Sequence, residues 1–398
     1  MDVFPFPDSS YRGPDPRFTR LRMEQPVARV HTHGGVDAWL VTRYEDVFAL
    51  SADTRLSRAA ACGPGAPKVG GAMTSTPEMI ISMDTHEHSR VRRLLAKAFA
   101  PRRIEQMRPR VQRVVDELLD SARTHGSPID LVEYFTVPMP LAVIGGLLGV
   151  PARDLREFEK WAREFATVND RAGGEQSTQG LAKLNEYIVG LIADKRVNPG
   201  DDMLSWLIST RDNEDRLSER ELVTYGFTLL GAGFDTVACQ LANSILALVE
   251  RHRDQWLWLV EDPGRIPGAV DELLRHVNLF GTDTTGFPRV ALAEIAVGDV
   301  VIRPGEVVLL SLSSANRDET VFPDPDRLDL SREPKGHLSF GHGIHYCPGE
   351  YLARIELELA LAGLVRRFPD LRLAVSESEL PWHPGEINHT LLAMPVTW

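Results

Sequence analysis

The chain has 398 residues, of which 43% are hydrophobic and 25% are charged, and its net charge at pH 7 is −12. The negative charge argues against nucleic acid as a partner, and no stretch reaches the ~20 apolar residues that span a bilayer. Three cysteines form no disulfide framework. Because no linker or low-complexity tract divides the chain, we predict one large domain over residues 1–398.

The N-terminal part mixes short strands with a helix. Residues 1–8 carry neither the basic nor the apolar region of a signal peptide, so we expect a cytoplasmic protein. Residues 38–42 predict a strand and residues 44–50 predict a helix. Residues 61–76 are small and rich in glycine and proline, which indicates a long loop.

The segment from Arg90 to Arg113 contains nine basic residues and one acid, Glu105. One interpretation is a solvated helix face. The other is a docking surface for an acidic protein, because local charge raises the rate of encounter.

Residues 87–250 have a mostly helical pattern, which is broken near residues 170–175. The last helix, residues 219–250, is apolar on most sides and is therefore expected to run through the core.

The middle of this long helix, Gly231–Thr236, departs from its apolar pattern. Mid-helix glycines cost free energy, and a carboxylate in an apolar helix costs more unless it is paired or functional. Small residues there would let a flat cofactor approach the backbone, and Asp235 with Thr236 forms an acid–alcohol pair suited to proton relay. The alternative is a kinked helix in which Asp235 caps or bridges its neighbours.

Further along the chain, Glu272 and Arg275 lie three residues apart and so share one helical face. Such pairs usually indicate a surface ion pair. Residues 294–302 and 306–312 predict strands.

The most informative segment is Phe340–Gly349, which contains Cys347 between a glycine-rich bend and the Pro-Gly that opens a helix. Gly341 and Gly343 permit backbone angles that turn amide groups toward a thiolate, and the following helix favours thiolate over thiol. Phe340 would shield the sulfur from water, which helps to set the redox potential of a bound metal. The alternative is a small, buried, hydrophobic cysteine.

This segment and the Ala-Gly-x-acid-Thr pattern at Ala232–Thr236 together resemble the cytochrome P450 superfamily, in its soluble bacterial type. The resemblance implies a mainly α fold with a smaller β portion, in which the haem lies between a long central helix and the Cys-loop helix. It also implies that Cys347 is the thiolate ligand of the iron of haem b, next to further cofactor contacts from five residues: Ala232, Gly233, Phe340, Gly341 and Gly349.

The two propionates of a haem need partners at fixed positions. The resemblance implies that four residues supply them: His88, Arg92, Arg289 and His345. His88 and Arg92 are four residues apart and therefore share a helix face. For each residue taken alone, an ordinary surface charge is the alternative.

The resemblance also implies roles in catalysis, in folding and in substrate binding. Asp235 would deliver protons and Thr236 would assist oxygen activation, while a structural network would consist of Glu272, Arg275 and Arg327. The pocket walls would come from residues 61–82, 165–180, 280–282 and 389–391 and from the long helix. The substrate contacts would be Thr228, Val237, Phe280, Thr282 and Thr390, a lining that suits a mid-sized, mostly apolar molecule.

The implied function is a monooxygenase that takes electrons from a ferredoxin and ferredoxin reductase, or a similar redox partner, and oxidises a small molecule of secondary metabolism. Neither nucleic acid nor a membrane is expected as a partner. Oxidative C–C or C–N coupling, or ring closure of a cyclic dipeptide-like substrate, stays open. A peroxide-using or dehydrating enzyme would often lack the acid–alcohol pair, and a haem-based sensor would be expected to carry a linked output domain.

Overall fold

The computed structural model describes residues 2–7, 9–62, 65–67, 77–166, 173–214, 217–280, 287–333, 335–383 and 388–398. These residues group into two compact units, each assembled from separate stretches of the chain. Unit 1 comprises Met1–Arg93, Gly268–Cys347 and Ile387–His389, and unit 2 comprises Leu94–Pro267, Pro348–Glu386 and Thr390–Trp398. The single domain expected from the sequence stays a prediction.

Helices dominate the described residues, as the sequence predicted. They are α1 (Arg17–Glu24), α2 (Tyr44–Ala52), α3 (Thr85–Ala98), α4 (Pro101–Glu105), α5 (Arg108–His125), α6 (Pro138–Leu148), α7 (Leu155–Ala166), α8 (Gly173–Val197), α9 (Met203–Glu214), α10 (Glu219–Leu246), α11 (Arg253–Glu261), α12 (Ile266–His276), α13 (Leu312–Ala315) and α14 (Glu350–Arg367).

The strands are short. They are β1 (Asp2–Phe4), β2 (Val27–Thr32), β3 (Asp37–Val41), β4 (Leu56–Ser57), β5 (Ile129–Asp130), β6 (Arg289–Ala291), β7 (Ile295–Val297), β8 (Val300–Ile302), β9 (Val307–Leu310), β10 (Arg372–Leu373) and β11 (Pro395–Thr397). The strands predicted from the sequence near residues 38–42, 294–302 and 306–312 are confirmed as β3, β7 with β8, and β9.

Unit 1 is built on a six-stranded sheet in the order β1-β2-β3-β9-β6-β4. All four residues of β9 are buried, because successive side chains enter two hydrophobic clusters on opposite faces of the sheet. Val308 and Leu310 join one cluster, and Val307 and Leu309 join the other. An apolar run of this kind is typical of a strand covered on both faces.

The last two strands of this sheet position two arginines. β4 pairs antiparallel with β6, with Leu56 opposite Ala291 and Ser57 opposite Val290. Arg58 directly follows β4 and Arg289 begins β6, so the strand pair brings the two arginines near each other.

A buried ion network also stabilises unit 1. Both oxygens of Glu272 accept hydrogen bonds from Arg275, at 2.7 and 2.8 Å, and both side chains are 0% exposed. Arg332, not the predicted Arg327, completes the network, with its Nε 3.2 Å from Glu272 Oε1. The turn that begins at Asp324 leaves Arg327 exposed, whereas the Arg332 guanidinium folds back onto the backbone carbonyls of that turn.

Unit 2 is organised around α10, which packs against α6, α8, α9 and α14. Ser218 begins the helix with a capping box: its hydroxyl accepts from the Glu221 N–H, and the Glu221 carboxylate accepts from the Ser218 N–H. Among the described residues, Glu219–Arg251 is the one helical stretch long and apolar enough to cross a membrane, yet 78% of its most apolar window is buried inside the protein. It is therefore a core helix. A small antiparallel sheet, in the order β10-β11-β5, completes unit 2.

Candidate functional site

The loop that carries Cys347 is held closed by its own backbone. The Cys347 N–H donates to the Phe340 carbonyl at 2.9 Å, and the Tyr346 N–H donates to the Gly343 carbonyl at 3.1 Å. Gly341 and Gly343 have φ values of 76° and 74°, in the left-handed region that glycine favours. Cys347 is partly exposed and forms no disulfide bond.

Gly343 is required for a second reason. A Cβ atom at this position would lie 2.8 Å from the Ser51 carbonyl oxygen and 2.9 Å from the Ala52 Cα, at the end of α2. These are backbone atoms that cannot move aside as a flexible side chain would. The close approach therefore fixes the Cys347 loop against α2.

Two other predicted cofactor contacts lie close to Cys347 along the chain. The Phe340 ring makes an edge contact with Tyr346 at 6.5 Å between centroids. Gly349 is the N-cap residue of α14, which begins three residues after Cys347. A shielding role for Phe340 and a cofactor contact by Gly349 stay predictions.

Unit 1 also contains a group of basic side chains, here called the basic cluster: Arg58, His88, Arg92, Arg289 and His345. The imidazoles of His88 and His345 meet edge to face, 4.7 Å between centroids. Arg58, His88 and Arg289 are each less than 10% exposed. The structure thus brings together all four residues predicted as propionate partners, and it adds Arg58.

Arg58 has an unusual environment for a charged side chain. Its Nε and Nη1 atoms are buried and have no hydrogen-bond partner. Its guanidinium lies over the Phe287 ring at 5.0 Å, and Arg289 lies close enough to repel its charge. Burial and the nearby Arg289 both lower the pKa of Arg58 well below its usual value.

The nearby acid, Asp84, is already engaged. One of its oxygens accepts from the backbone N–H of Arg58 at 2.9 Å and from that of Ala59 at 3.4 Å, and the other accepts from the Ser57 hydroxyl. These bonds fix the turn after β4 but leave the Arg58 guanidinium donors unsatisfied.

The remaining members of the cluster are also desolvated. Burial lowers the pKa of Arg289 to about 10, an effect partly offset by Asp84 and Asp53, and Arg289 donates to the Leu50 and Ser51 carbonyls. Burial likewise lowers the pKa of Arg92, and the nearby Cys347 partly offsets this effect.

The pKa values of both histidines of the cluster are lowered. Burial is the largest cause: together with Arg92 and Arg58 it lowers the pKa of His88 to about 4. Burial, Arg58 and Arg289 lower the pKa of His345 still further. The Nδ1 atom of His345 is buried without a partner. A neutral imidazole still offers one N–H donor to a carboxylate.

The cluster therefore fits the propionates of the haem that the resemblance implies. It holds three guanidinium groups and two imidazoles, and buried donors without partners remain on Arg58. Arginine guanidinium groups bind carboxylates bidentately and strongly. A ligand with two carboxylates near Cys347 would satisfy these donors and relieve the repulsion between Arg58 and Arg289.

In unit 2, the middle of α10 carries an accessible strip on an otherwise buried helix. Ala232 is exposed, and Gly231, Asp235 and Thr236 are partly exposed. The Thr236 hydroxyl donates to the Ala232 carbonyl at 2.6 Å. A Cβ atom on Gly231 would meet nothing within 4 Å, so this side of the helix is open.

Gly233 allows close helix packing within unit 2, and its contact with a cofactor stays a prediction. A Cβ atom at this position would lie 2.8 Å from Ile144 Cδ1 and 2.9 Å from Ile144 Cγ1, on α6. Gly233 therefore lets α6 approach α10 closely.

The predicted substrate contacts lie in different environments. Thr228 is partly exposed, but its hydroxyl is buried without a partner. Val237 and Thr390 are buried at 6% and 2% exposure. Phe280 forms an isolated β-bridge with Asn388. Thr282 lies outside the described residues, as do parts of the predicted pocket walls, residues 63–64, 68–76 and 167–172. Substrate contact by these residues stays a prediction.

The basic residues from Arg90 to Arg113 are less uniform than their sequence indicates. Arg92 belongs to the basic cluster, and Arg108 is paired with Glu105 at 2.6 Å and with Glu358 at 3.2 Å. Arg110 donates to a backbone carbonyl on α6. Within the part of this segment that belongs to unit 2, the exposed cations without a hydrogen-bond or carboxylate partner among the described residues are Lys97, Arg102 and Arg113.

Comparison with known proteins identifies a common family. The protein-family model described as cytochrome P450 matches residues 267–380 of this chain. Nocardicin C N-oxygenase of Nocardia uniformis subsp. tsuyamanensis is 43% identical over 99% of this chain and 98% of that protein. The LnmA cytochrome P450 hydroxylase from the leinamycin pathway of Streptomyces atroolivaceus is 41% identical over 100% of both chains, with a TM-score of 0.91. A cytochrome P450 with biaryl coupling reactivity is 39% identical over 98% of both chains, with a TM-score of 0.91.

Proposed function

The chain belongs to the cytochrome P450 family and is a monooxygenase of bacterial secondary metabolism, and we propose that it oxidises a mid-sized, mostly apolar small molecule with electrons from a ferredoxin-type partner. The observation that carries the proposal is the basic cluster near Cys347, in which two buried donor atoms of Arg58 have no hydrogen-bond partner in the protein. The family uses haem b with a cysteine thiolate ligand. With that ligand, haem supplies the iron chemistry that favours O–O cleavage.

We assign Cys347 as the thiolate ligand and the basic cluster as the propionate site. Gly341 and Gly343, both in the left-handed backbone conformation, shape the loop that contains Cys347. The three arginines and two histidines of the cluster orient the carboxylates. Arg58 is an addition that no sequence motif indicated.

Asp235 and Thr236 are assigned to proton delivery during oxygen activation. The Thr236 Oγ1 donates its own proton to the Ala232 carbonyl, which leaves the lone pairs of the hydroxyl free to accept a hydrogen bond. The partly exposed Asp235 carboxylate lies next to it on the accessible strip of α10 and can exchange protons with solvent. Positioned groups of this kind typically accelerate proton transfer by a factor of about 10²–10⁴.

The redox partner is assigned by charge. Lys97, Arg102 and Arg113 are exposed cations on a protein with a net charge of −12. An acidic ferredoxin would be steered toward such a group, and the steering would weaken as ionic strength rises. With a soluble partner of this kind, the protein would work in the cytoplasm.

A second candidate function is oxidative coupling within or between substrates. The solved relative with biaryl coupling reactivity, 39% identical to this chain, supports it. Coupling would use the same haem site and the same proton path, so the residues assigned above do not distinguish the two outcomes.

The test is a screen of small molecules for a shift of the haem spin state, followed by turnover of each hit with ferredoxin, ferredoxin reductase and isotopically labelled O2. Monooxygenation predicts a product that contains one labelled oxygen atom. Coupling predicts a dimeric or ring-closed product without label. If hits that shift the spin state give neither product while electrons are consumed, the proposed function is wrong.

A further inference from the structure

The acid of the proposed proton path has a neighbour that no motif predicted. Cys239 lies on α10 four residues after Asp235, and its side chain therefore shares that face of the helix. The Cys239 Sγ is 3.8 Å from Asp235 Oδ1 and 3.4 Å from Thr390 Oγ1. Cys239 and Thr390 are 4% and 2% exposed.

Thr390 belongs to the C-terminal hairpin, defined here as residues 380–383 and 390–392. The Thr390 carbonyl accepts from the His383 N–H at 2.9 Å, and the Leu392 N–H donates to the Pro381 carbonyl at 2.9 Å. Trp382 and Leu391 form an isolated β-bridge. Cys239 thus connects α10 to a segment whose own backbone is hydrogen-bonded in place.

We propose that Cys239 is a positioning residue: its thiol links the Asp235 carboxylate to the Thr390 hydroxyl and so couples the acid to the C-terminal hairpin. This inference rests on the proposed role of Asp235 in proton delivery. It also gives the Thr390 hydroxyl a different function from the substrate contact expected from the sequence.

The chemistry of the three groups sets the direction of the hydrogen bonds. An ionised carboxylate only accepts, and a thiol has one weak donor and a weak acceptor. The Cys239 S–H therefore donates to Asp235, and the Thr390 O–H donates to the Cys239 sulfur. A buried hydroxyl needs a partner, and the thiol provides one. A cysteine that only filled space would need neither contact.

The direct test is infrared spectroscopy of the sulfhydryl stretch in the haem-loaded protein with the Cys62→Ala substitution. Cys347 is ligated as a thiolate, so Cys239 is the remaining S–H group. We expect a band at the lowered frequency of a hydrogen-bonded thiol, which moves to higher frequency in Asp235→Ala and shifts in Thr390→Val. A band at the frequency of a free thiol, unmoved by either substitution, would overturn the inference.

The functional test measures peroxide formed per electron pair, and its solvent isotope effect, with a [2Fe–2S] ferredoxin, its reductase and a spin-shifting small molecule. Cys239→Ala is expected to raise the peroxide fraction about two- to fivefold, which corresponds to about 0.4–1 kcal/mol at 1.36 kcal/mol per tenfold. It should also change the isotope effect. Cys239→Ser keeps a hydrogen-bond donor and should reverse at least half of the increase in the peroxide fraction. A purely space-filling role would not predict this recovery.

Asp235→Asn in the same assay distinguishes the proton-delivery role of Asp235 from the positioning role of Cys239. If Asp235→Asn leaves the peroxide fraction and the isotope effect unchanged, Asp235 has no role in proton delivery. If Asp235→Asn alters both while Cys239→Ala alters neither, Asp235 keeps its role and the positioning function of Cys239 is wrong.

Discussion

Replacement of Arg58 is expected to stabilise the haem-free protein but to weaken the binding of haem. The Nε and Nη1 atoms of Arg58 are buried donors without a partner in the protein itself. Each such group costs about 1–3 kcal/mol, so Arg58→Met, which removes both donors and the charge near Arg289, is expected to raise the free energy of unfolding of the haem-free protein by about 2 kcal/mol or more. Urea denaturation of the haem-free protein measures this change.

In the haem-loaded protein the same substitution is expected to be harmful. A hydrogen bond to a charged group contributes about 1.5–3 kcal/mol, so the loss of one such bond to a propionate would weaken haem binding about 10- to 150-fold. The rate of haem transfer from the loaded protein to an excess of apomyoglobin measures this loss. Arg58→Met should transfer its haem correspondingly faster.

Arg22→Met is the matched control. Arg22 is also buried in unit 1, at 4% exposure, but its guanidinium donates to Ser314, Thr19 and Glu319. Its replacement should destabilise the haem-free protein and leave the rate of haem transfer unchanged. Equal haem transfer from Arg58→Met and from the unsubstituted protein, or a destabilised haem-free Arg58→Met, would refute the assignment of Arg58 to a propionate.

Three further predictions concern catalysis, folding and electron transfer. Thr236→Ala should bind spin-shifting molecules with near-normal affinity but divert several-fold more electrons to peroxide. An unchanged share of electrons lost to peroxide would exclude a role of Thr236 in proton delivery. Glu272→Gln breaks the buried ion pair with Arg275 and should lower the free energy of unfolding by about 3–5 kcal/mol in a denaturant titration, whereas a loss below about 1 kcal/mol would show that the network is dispensable. In the third, Lys97, Arg102 and Arg113 are replaced together by glutamate. Ferredoxin should reduce this triple variant more slowly and with a weaker dependence on ionic strength, while the haem spectrum stays unchanged. Unaltered reduction kinetics would mean that these residues are only a solvated helix face.

The features that local sequence determines were predicted well. The run of residues 219–250, apolar on most sides, predicted α10, which ends at Leu246 and continues as a π-helical turn over Ala247–Arg251. The unusual backbone angles expected at Gly341 and Gly343 are present. Each of these features depends on residues a few positions apart, so the pattern contains the information.

The features that were missed depend on contacts between distant residues. The approach of Arg58 to Arg289 follows from the register of β4 and β6, and the strand pair joins segments more than 200 residues apart. The choice of Arg332 over Arg327 as the partner of Glu272 depends on the direction of a turn. The close approach of Ile144 to Gly233 likewise depends on the packing of α6 against α10, which the local sequence pattern does not show.

The central claim is that Cys347 holds a haem iron as a thiolate, and the spectrum of the reduced carbon-monoxide complex tests it most directly. Cys62→Ala and Cys239→Ala are expected to keep the strongly red-shifted Soret band of thiolate ligation, as in the unsubstituted protein, and Cys347→Ala is expected to lose it. An imidazole-type spectrum in the unsubstituted protein, or a red-shifted band that survives Cys347→Ala, would contradict the account.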